Sequence, residues 1–349
     1  MTADRPIVVF GCPRSGTTLL QLMLHAHPRI AIPPENRFLL PAYQHRRGFG
    51  DLHDPANRRR LARWIVSDPQ TRFRDFGLDP DQLTEEIVAA PPTLGSALGA
   101  VFRAYARRFG KPRWGDKRPS YVTNLEIVER LFPTAQFVHI VRDGRDCVAS
   151  LDRMPWHRGG TYQAVSIWAQ AVDHARRAAR RLGPESFYEL YYERLVDDPE
   201  RELAELCGYL GEAYHPAMAE PAQLASLVVP KRKRHHPLVR QPVTVARAGS
   251  WPRRLQPWQA SLSEAVLGDR LESHGYGLSG APPPPAWVRL RYERVAFRHR
   301  FAAPKRRLVR AYERLRRSAE LADLGQPRGG PTGVSTSTSR STSDSARPG

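Results

Sequence analysis

The chain has 349 residues, of which 41% are hydrophobic and 26% charged, values that exclude a collagen, a disulfide scaffold and a wholly disordered protein. Its net charge is +19, and residues 281–349 hold 15 basic and 5 acidic residues, so about half of the excess lies in this C-terminal part. Such a charge predicts a polyanionic partner, which could be a phosphorylated ligand, nucleic acid or an anionic membrane.

The first predicted element is a strand at Ile7–Phe10, a mostly β-branched apolar run between Pro6 and Gly11. A turn follows over Gly11–Thr18. The next ten residues, LLQLMLHAHP, have apolar side chains at helical spacing and end in proline, a pattern typical of a helix. The N-terminal segment therefore predicts a strand, a turn and a helix in succession.

A second unit of the same kind lies in the middle of the chain. Its pattern predicts a helix over residues 121–132, a buried strand over Phe137–Val141, a turn over Asp143–Asp146 and a helix that includes Cys147–Leu151. Two strand-turn-helix units favour a parallel sheet with helical crossovers, which is an α/β fold.

The remaining globular segments are mostly helical by pattern. Residues 43–112 and Thr161–Leu182 predict helices, Phe187–Tyr192 predicts a third strand, and a further helix begins near Asp198 and ends at Gly211. We divide the chain into a catalytic domain (1–280), a Pro-rich linker with a basic helical extension (281–324), and a disordered Gly/Ser/Thr/Pro tail (325–349). The extension could bind an anionic membrane surface or pack back on the domain.

Cysteine content and hydropathy bear on the cellular compartment. No apolar run approaches the roughly 20 residues of a membrane span, and the first residues lack the features of a signal peptide. Cys12, Cys147 and Cys207 form no CxxC pair, which argues against a disulfide framework and a zinc site. We expect a cytoplasmic protein with no metal. The strong bias toward arginine suggests the GC-rich genome of a bacterium.

The turn Gly11–Thr18 has the G-x4-G frame of a phosphate-binding loop between a strand and a helix. A Walker loop has lysine after its second glycine, whereas this chain has Thr17. The usual lysine contact to the β- and γ-phosphates of a nucleoside triphosphate is therefore missing. The plain alternative is a glycine-rich tight turn without a ligand.

Five motifs carry a family resemblance: PRSGTT with LMLHAHP, PENR, WGDKRP, FVHIVRDGRDCVAS and YYERLVDDPE, in this order, with a weaker match at RAGSW. They resemble the PAPS-dependent sulfotransferases, closest to the tyrosylprotein sulfotransferase-like and bacterial branch. The resemblance implies a P-loop-like three-layer α/β fold with a central parallel sheet flanked by helices. It also implies transfer of a sulfuryl group from PAPS to a hydroxyl or amine acceptor, leaving PAP, without metal.

The resemblance also implies roles for individual residues in donor binding. It places the loop side chains and backbone around the donor's 5′-phosphosulfate: Arg14, Ser15, Gly16, Thr17 and Thr18. It places Arg142 and Ser150 at the 3′-phosphate, Tyr192 beside the adenosine, and Arg247 near the 3′-phosphate in a late segment.

Two residues carry the chemistry that the resemblance implies. Glu35 in PENR corresponds to a general base, with Arg37 beside it, and Lys117 in WGDKRP to a lysine that stabilises charge on the oxygen bridging sulfur and phosphate. Lys117 is one of five lysines among 54 basic residues. Asp116 could position Lys117 or serve as another acid or base. Three histidines are expected to be structural: His25, His27 and His139.

Two other functions stay open at this point. The first is a nucleotide-dependent kinase, against which Thr17 argues. The second is a non-enzymatic protein that binds anions, nucleic acid or a membrane surface, although we expect no specific nucleic acid partner. The basic run at Lys231–His236 favours a solvated loop over contact with an acidic acceptor.

Overall fold

A parallel sheet forms the centre of the protein in a computed structural model that describes residues 5–224 and 243–301. Within these residues the sheet has five strands in the order β2-β3-β1-β4-β5. The strands are β1 (Ile7–Gly11), β2 (Ile30–Ala31), β3 (Arg113–Lys117), β4 (Gln136–Val141) and β5 (Phe187–Tyr191). After β1, the chain forms β2 and β3 on one side of this strand and then β4 and β5 on its other side.

Strand β1 occupies the middle of the sheet. Ile7 pairs with Gly115 of β3 on one side and with Gln136 of β4 on the other, and every residue of β1 is buried. A central parallel strand is covered on both faces, which explains its continuous apolar sequence. The strand order reverses at β1, and ligands of parallel sheets bind at such a point, beyond the carboxyl ends of the strands.

Helices connect the strands and cover both faces. They are α1 (Thr17–Ala26), α2 (Leu39–Gln44), α3 (Pro55–Ser67), α4 (Pro80–Ala89), α5 (Leu94–Arg108), α6 (Leu125–Leu131), α7 (Gly144–Leu151), α8 (Gly160–Leu182), α9 (Tyr192–Asp197), α10 (Pro199–Leu210), α11 (Pro257–Glu272) and α12 (Ala286–Phe301). Gly211 ends α10 in the left-handed conformation, as its sequence pattern predicts.

Two apolar layers enclose the sheet. On one face Val9 packs with Leu20 of α1 and Leu203 of α10. On the other face Phe10 lies in the same cluster as Leu98 of α5 and Trp168 of α8. Helices therefore lie on both sides of a parallel sheet, and the predicted P-loop-like three-layer α/β fold is confirmed.

Several predicted boundaries were wrong. Strands β2 and β3 were not predicted, and the helix predicted over residues 121–132 is a 3-10 turn at Pro119–Thr123 followed by the shorter α6. Asn124, with φ −135° and ψ 21°, lies outside the helical region and separates the two. The third strand ends at Tyr191, and Tyr192 begins α9.

The extension after Gly280 packs on the domain over the part that the structure describes. In α12, Val288, Tyr292 and Ala296 are buried against the cluster that contains α8, and Arg291 lies over the Tyr162 ring at 5.2 Å. The domain division after Gly280 remains a prediction. The basic run at 231–236, the rest of the extension and the 325–349 tail lie outside the described residues.

Candidate active site

The loop between β1 and α1 holds an unusual backbone. Arg14 has φ 75° and Gly16 has φ 101°, both in the left-handed region. A Cβ atom at Gly11 would lie 2.5 Å from the carbonyl oxygen of Ile140, so the loop can approach β4 only with glycine there. The glycine frame of the motif thus has a geometric reason.

The first turn of α1 presents groups suited to an anion. Gly16 is the N-cap and supplies no side chain to the helix N–H groups. The Ser15 hydroxyl is buried and makes no hydrogen bond with the described part of the chain. Thr17 and Thr18 are buried at the start of the helix. Backbone N–H groups at a helix N-terminus favour a phosphate or sulfate.

Arg142 joins the loop to the end of β4. Its carbonyl accepts a hydrogen bond from Trp168 Nε1 at 3.0 Å, which fixes its backbone. Its guanidinium donates to the Arg14 carbonyl at 3.3 Å and to Asp146 Oδ2 at 3.1 Å, and it lies 4.3 Å from the centre of the Tyr192 ring. Its Nε is buried without a hydrogen-bond partner in the described chain, a donor suited to a ligand.

Ser150 and Tyr192 contact the same loop. Arg14 Nε donates to Ser150 Oγ at 3.0 Å, and a Cβ atom at Gly16 would lie 2.5 Å from the Tyr192 ring. Burial, followed by the positive charges of Arg142 and Arg247, lowers the pKa of Arg14. The structure therefore brings these predicted donor residues together around one positively charged loop.

Residues 247–254 pack against these donor-binding residues. The Arg247 carbonyl accepts a hydrogen bond from Arg142, and Ser250 Oγ donates to Asp146 Oδ1 at 3.1 Å. Arg254 donates to the Ala149 carbonyl at 3.2 Å, and its Nε is buried without a hydrogen-bond partner in residues 5–224 and 243–301. Arg254 was not predicted as a site residue from the sequence. The RAGSW motif was the available signal, because it leads into this arginine four residues after Ser250.

Lys117 and Glu35 meet beside the loop from two separate parts of the chain. Lys117 is the last residue of β3 and is fully buried, and Glu35 lies four residues beyond β2 with 22% of its side chain exposed. Lys117 Nζ lies 2.5 Å from Glu35 Oε1 and 3.3 Å from Thr18 Oγ1. An acid–base pair thus stands at the first turn of α1, next to the anion-binding groups.

The other candidates lie in different surroundings. Arg37 is exposed, and its backbone N–H donates to the Thr71 carbonyl at 2.9 Å. His139 is buried in β4, with Nδ1 2.9 Å from Glu189 Oε2. His25 and His27 accept hydrogen bonds from backbone N–H groups through Nδ1. Asp116 is buried, and its Oδ1 accepts a hydrogen bond from the Lys117 backbone N–H.

Comparisons with known proteins agree with this architecture. The model of the Sulfotransferase family matches residues 6–216. A protein-tyrosine sulfotransferase of Drosophila melanogaster is 26% identical over 298 residues, which cover 81% of this chain and 54% of that protein. Protein-tyrosine sulfotransferase 1 of Homo sapiens is 28% identical over 294 residues, which cover 80% of this chain and 72% of that protein. The chain thus spans about half of the Drosophila relative. A bacterial origin of this chain stays a prediction.

A solved structure shows the same fold. The sulfotransferase domain of the Synechococcus PCC 7002 olefin synthase superposes with a TM-score of 0.54 and is 24% identical, covering 79% of this chain and 97% of that one. Because the family match covers more than half of the sequence, the chain belongs to the sulfotransferase family of enzymes.

Proposed function

We propose that this enzyme transfers a sulfuryl group from PAPS to a hydroxyl or amine of a small-molecule, carbohydrate or lipid acceptor. The observation that carries the proposal is the position of the Lys117–Glu35 pair, in contact with Thr18 at the end of the anion-binding loop. A proton acceptor and a cation stand where a group held by that loop would react.

The residues around the loop fit a bisphosphorylated nucleotide. Six buried side-chain polar atoms of the described residues make no hydrogen bond, and three of the six lie in this cluster: Ser15 Oγ, Arg142 Nε and Arg254 Nε. Burial, then the charges of Arg153 and Arg247, lowers the pKa of Arg254. An anionic ligand would supply both the missing acceptors and the missing negative charge.

Each residue has a definite chemical task in this proposal. PAPS supplies the sulfuryl group and leaves as PAP. Arg14 and the loop N–H groups bind the phosphosulfate end, and Arg142, Ser150 and Arg247 bind the 3′-phosphate, with Tyr192 beside the adenosine. Glu35 takes the proton from the acceptor, and Lys117 stabilises negative charge on the oxygen that links sulfur to the leaving phosphate.

Donor selectivity is the first test. PAP carries a 3′-phosphate that AMP lacks, so we expect wild-type protein to bind PAP much more tightly. Arg142→Ala should weaken PAP binding by about ten- to hundredfold, since a charge-assisted hydrogen bond is worth roughly 1.5–3 kcal/mol, and should leave AMP binding nearly unchanged. Calorimetry with both nucleotides on both proteins gives the four affinities.

Two further variants show whether the loss of PAP affinity is specific to the 3′-phosphate site. Ser150→Ala removes one hydroxyl and should lower PAP affinity less, without disturbing the contacts that Arg142 makes to the loop. Arg59→Ala, in the exposed Arg59–Glu85 ion pair, is the matched control and should leave both affinities unchanged. Equal affinity of wild-type protein for PAP and AMP would contradict the donor assignment.

The acceptor is tested by a screen with labelled PAPS. The panel contains alcohols, carbohydrates, lipids and amines, and also a tyrosine-containing acidic peptide, because the relatives above are named protein-tyrosine sulfotransferases. ATP with magnesium replaces PAPS in parallel reactions, which tests the kinase alternative. Mass spectrometry of the products shows which acceptor gains a sulfuryl group.

We also propose that the enzyme works in the cytoplasm at an anionic membrane surface. Helix α12 buries one side against the domain and presents an outer face on which Trp287, Leu290 and Phe297 are 63%, 60% and 61% exposed, together with the exposed Arg289 and Arg294. Apolar side chains combined with arginines suit the negatively charged cytoplasmic leaflet.

The buried free thiols suit a reducing compartment. No helix in the described residues is both long and apolar enough to span a bilayer.

Vesicle binding tests this outer face. Trp287→Ser should weaken binding to phosphatidylserine-containing vesicles about tenfold or more, since burying a large apolar side chain contributes roughly 1.5–3 kcal/mol. Binding of wild-type protein should fall with added salt and be much weaker to neutral vesicles. Trp156→Ser changes another exposed tryptophan, between α7 and α8, and is the matched control. Equal losses from both variants, or wild-type binding that ignores lipid charge, would overturn the assignment.

A further inference from the structure

Three polar side chains form a buried hydrogen-bonded cluster behind the Lys117–Glu35 pair. Asn36, Asp116 and Tyr121 are 0%, 1% and 0% exposed. Asp116 Oδ2 accepts hydrogen bonds from Asn36 Nδ2 at 2.6 Å and from the Tyr121 hydroxyl, and Asn36 Nδ2 lies 3.1 Å from the Tyr121 oxygen. We call these residues the Asn36–Asp116–Tyr121 cluster.

The cluster joins the two segments that carry the proposed chemistry. Asn36 directly follows Glu35, and its Oδ1 accepts the Leu39 N–H at 3.2 Å, which fixes the turn into α2. Asp116 directly precedes Lys117, and its Oδ1 accepts the Lys117 backbone N–H at 2.8 Å. The carboxylate therefore holds both the backbone of Lys117 and the side chain next to Glu35.

The ionised form of Asp116 is disfavoured by its burial. Burial raises the pKa of Asp116 to about 6 from 3.8, although Tyr121, Asn36, the Lys117 N–H and the charge of Arg118 act in the opposite direction. Because the folded-state value is the higher one, stability falls as pH rises through the interval between these values. The free energy of unfolding is therefore lower at neutral pH than at acid pH on account of this carboxyl group.

We propose that the Asn36–Asp116–Tyr121 cluster is a positioning device that sets the separation of Glu35 and Lys117. The inference rests on the proposed roles of those two residues. It assigns no proton transfer to Asp116, whose two oxygens already accept the hydrogen bonds of Asn36, Tyr121 and Lys117.

Exchanging the two partners tests the proposal. Asp116→Asn presents one amide oxygen to three donors, and Asn36→Asp sets two carboxylates against each other. In the double variant the amide and the carboxylate trade places, so the cross-link can form again. PAP formation from labelled PAPS, with water as the acceptor, should fall about a hundredfold in each single variant and recover at least tenfold in the double variant. PAP affinity should change less than about threefold throughout.

Other measurements separate positioning from folding and from the proposed function. Crystal structures with PAP should show Glu35 and Lys117 apart in the single variants and in contact again in the double variant. Tyr121→Phe is a milder change for the case in which a single variant does not fold; it should lower the rate severalfold, whereas Tyr105→Phe, at another buried tyrosine, should not. Adding Asp116→Asn to Glu35→Gln should cause little further loss of rate, because both changes impair the same step, proton transfer to Glu35.

The outcomes are distinct. A double variant that regains its melting temperature but not its rate, or single variants that keep near-wild-type rates and an unchanged Glu35–Lys117 contact, would overturn the positioning role. Failure of the proposed function would appear instead as an undiminished rate in Glu35→Gln alone.

Discussion

Glu35→Gln should lower the rate of sulfuryl transfer by roughly 10²–10⁴-fold. Glutamine keeps the size of the side chain and can still accept a hydrogen bond from Lys117, but it cannot take a proton from the acceptor. The substitution does not change the loop residues that bind the donor, so PAP affinity should barely change. Single-turnover rates with the acceptor from the screen, and with water, measure the effect.

The control for this experiment uses a carboxylate of similar exposure outside the site. Glu189→Gln removes the negative charge beside His139 and should leave the rate within about threefold. A Glu35→Gln enzyme that works at nearly the wild-type rate would mean that another group is the base. His139 would then be the next candidate, although it lies inside β4 and stacks on Phe10 at 5.1 Å.

Lys117→Ala should lower the rate by about 10²–10³-fold, the usual effect of removing one group that stabilises a developing negative charge. The loss should appear in kcat far more than in PAP affinity, because the charge on the bridging oxygen grows only as the bond to sulfur breaks. Rapid-quench measurements of PAP formation separate this step from donor binding.

Lys117 is fully buried, so its replacement could also disturb the packing. Lys117→Met keeps the aliphatic stem and should show the same loss of rate with a smaller change in melting temperature. Lys111→Met is the matched control, because Lys111 is a partly buried lysine that donates to the His25 carbonyl. A Lys117→Met enzyme with weak PAP binding and an intact rate would show that Lys117 only holds the donor.

Local sequence pattern predicted β1, β4 and β5, of which β1 and β4 are largely apolar runs next to a turn. It did not predict β3, whose sequence RWGDK has charged side chains in a strand that is buried at every residue. Those charges are stabilised by distant partners: Arg113 Nη1 donates to the Leu210 carbonyl at 2.6 Å, and Lys117 pairs with Glu35. No pattern within five residues contains that information. Strand β2 has only two residues and is too short for any periodicity.

The candidate site was predicted unevenly for a related reason. Lys117 was conspicuous because lysine is rare in this chain, whereas Arg254 could not be distinguished by composition among so many arginines. Asn36 and Tyr121 carry no signal of their own, since their importance arises only when residues 36, 116 and 121 meet in the fold. From the sequence, the apolar residues of α12 were equally compatible with binding a membrane and with packing on the domain. In the structure they lie on two different sides of the helix, one buried and one exposed.

The position of β1 in the sheet separates the site residues into two groups. The proposed donor contacts at Arg142, Ser150, Tyr192 and Arg247 all come from chain on the β4 and β5 side, whereas Glu35 and Lys117 come from the β2 and β3 side, with α2–α5 inserted between them. A gene segment for residues 38–112 could therefore be exchanged between relatives at two crossover points without altering a donor contact. We expect such an exchange to leave PAP affinity unchanged, because no proposed donor contact lies in residues 38–112.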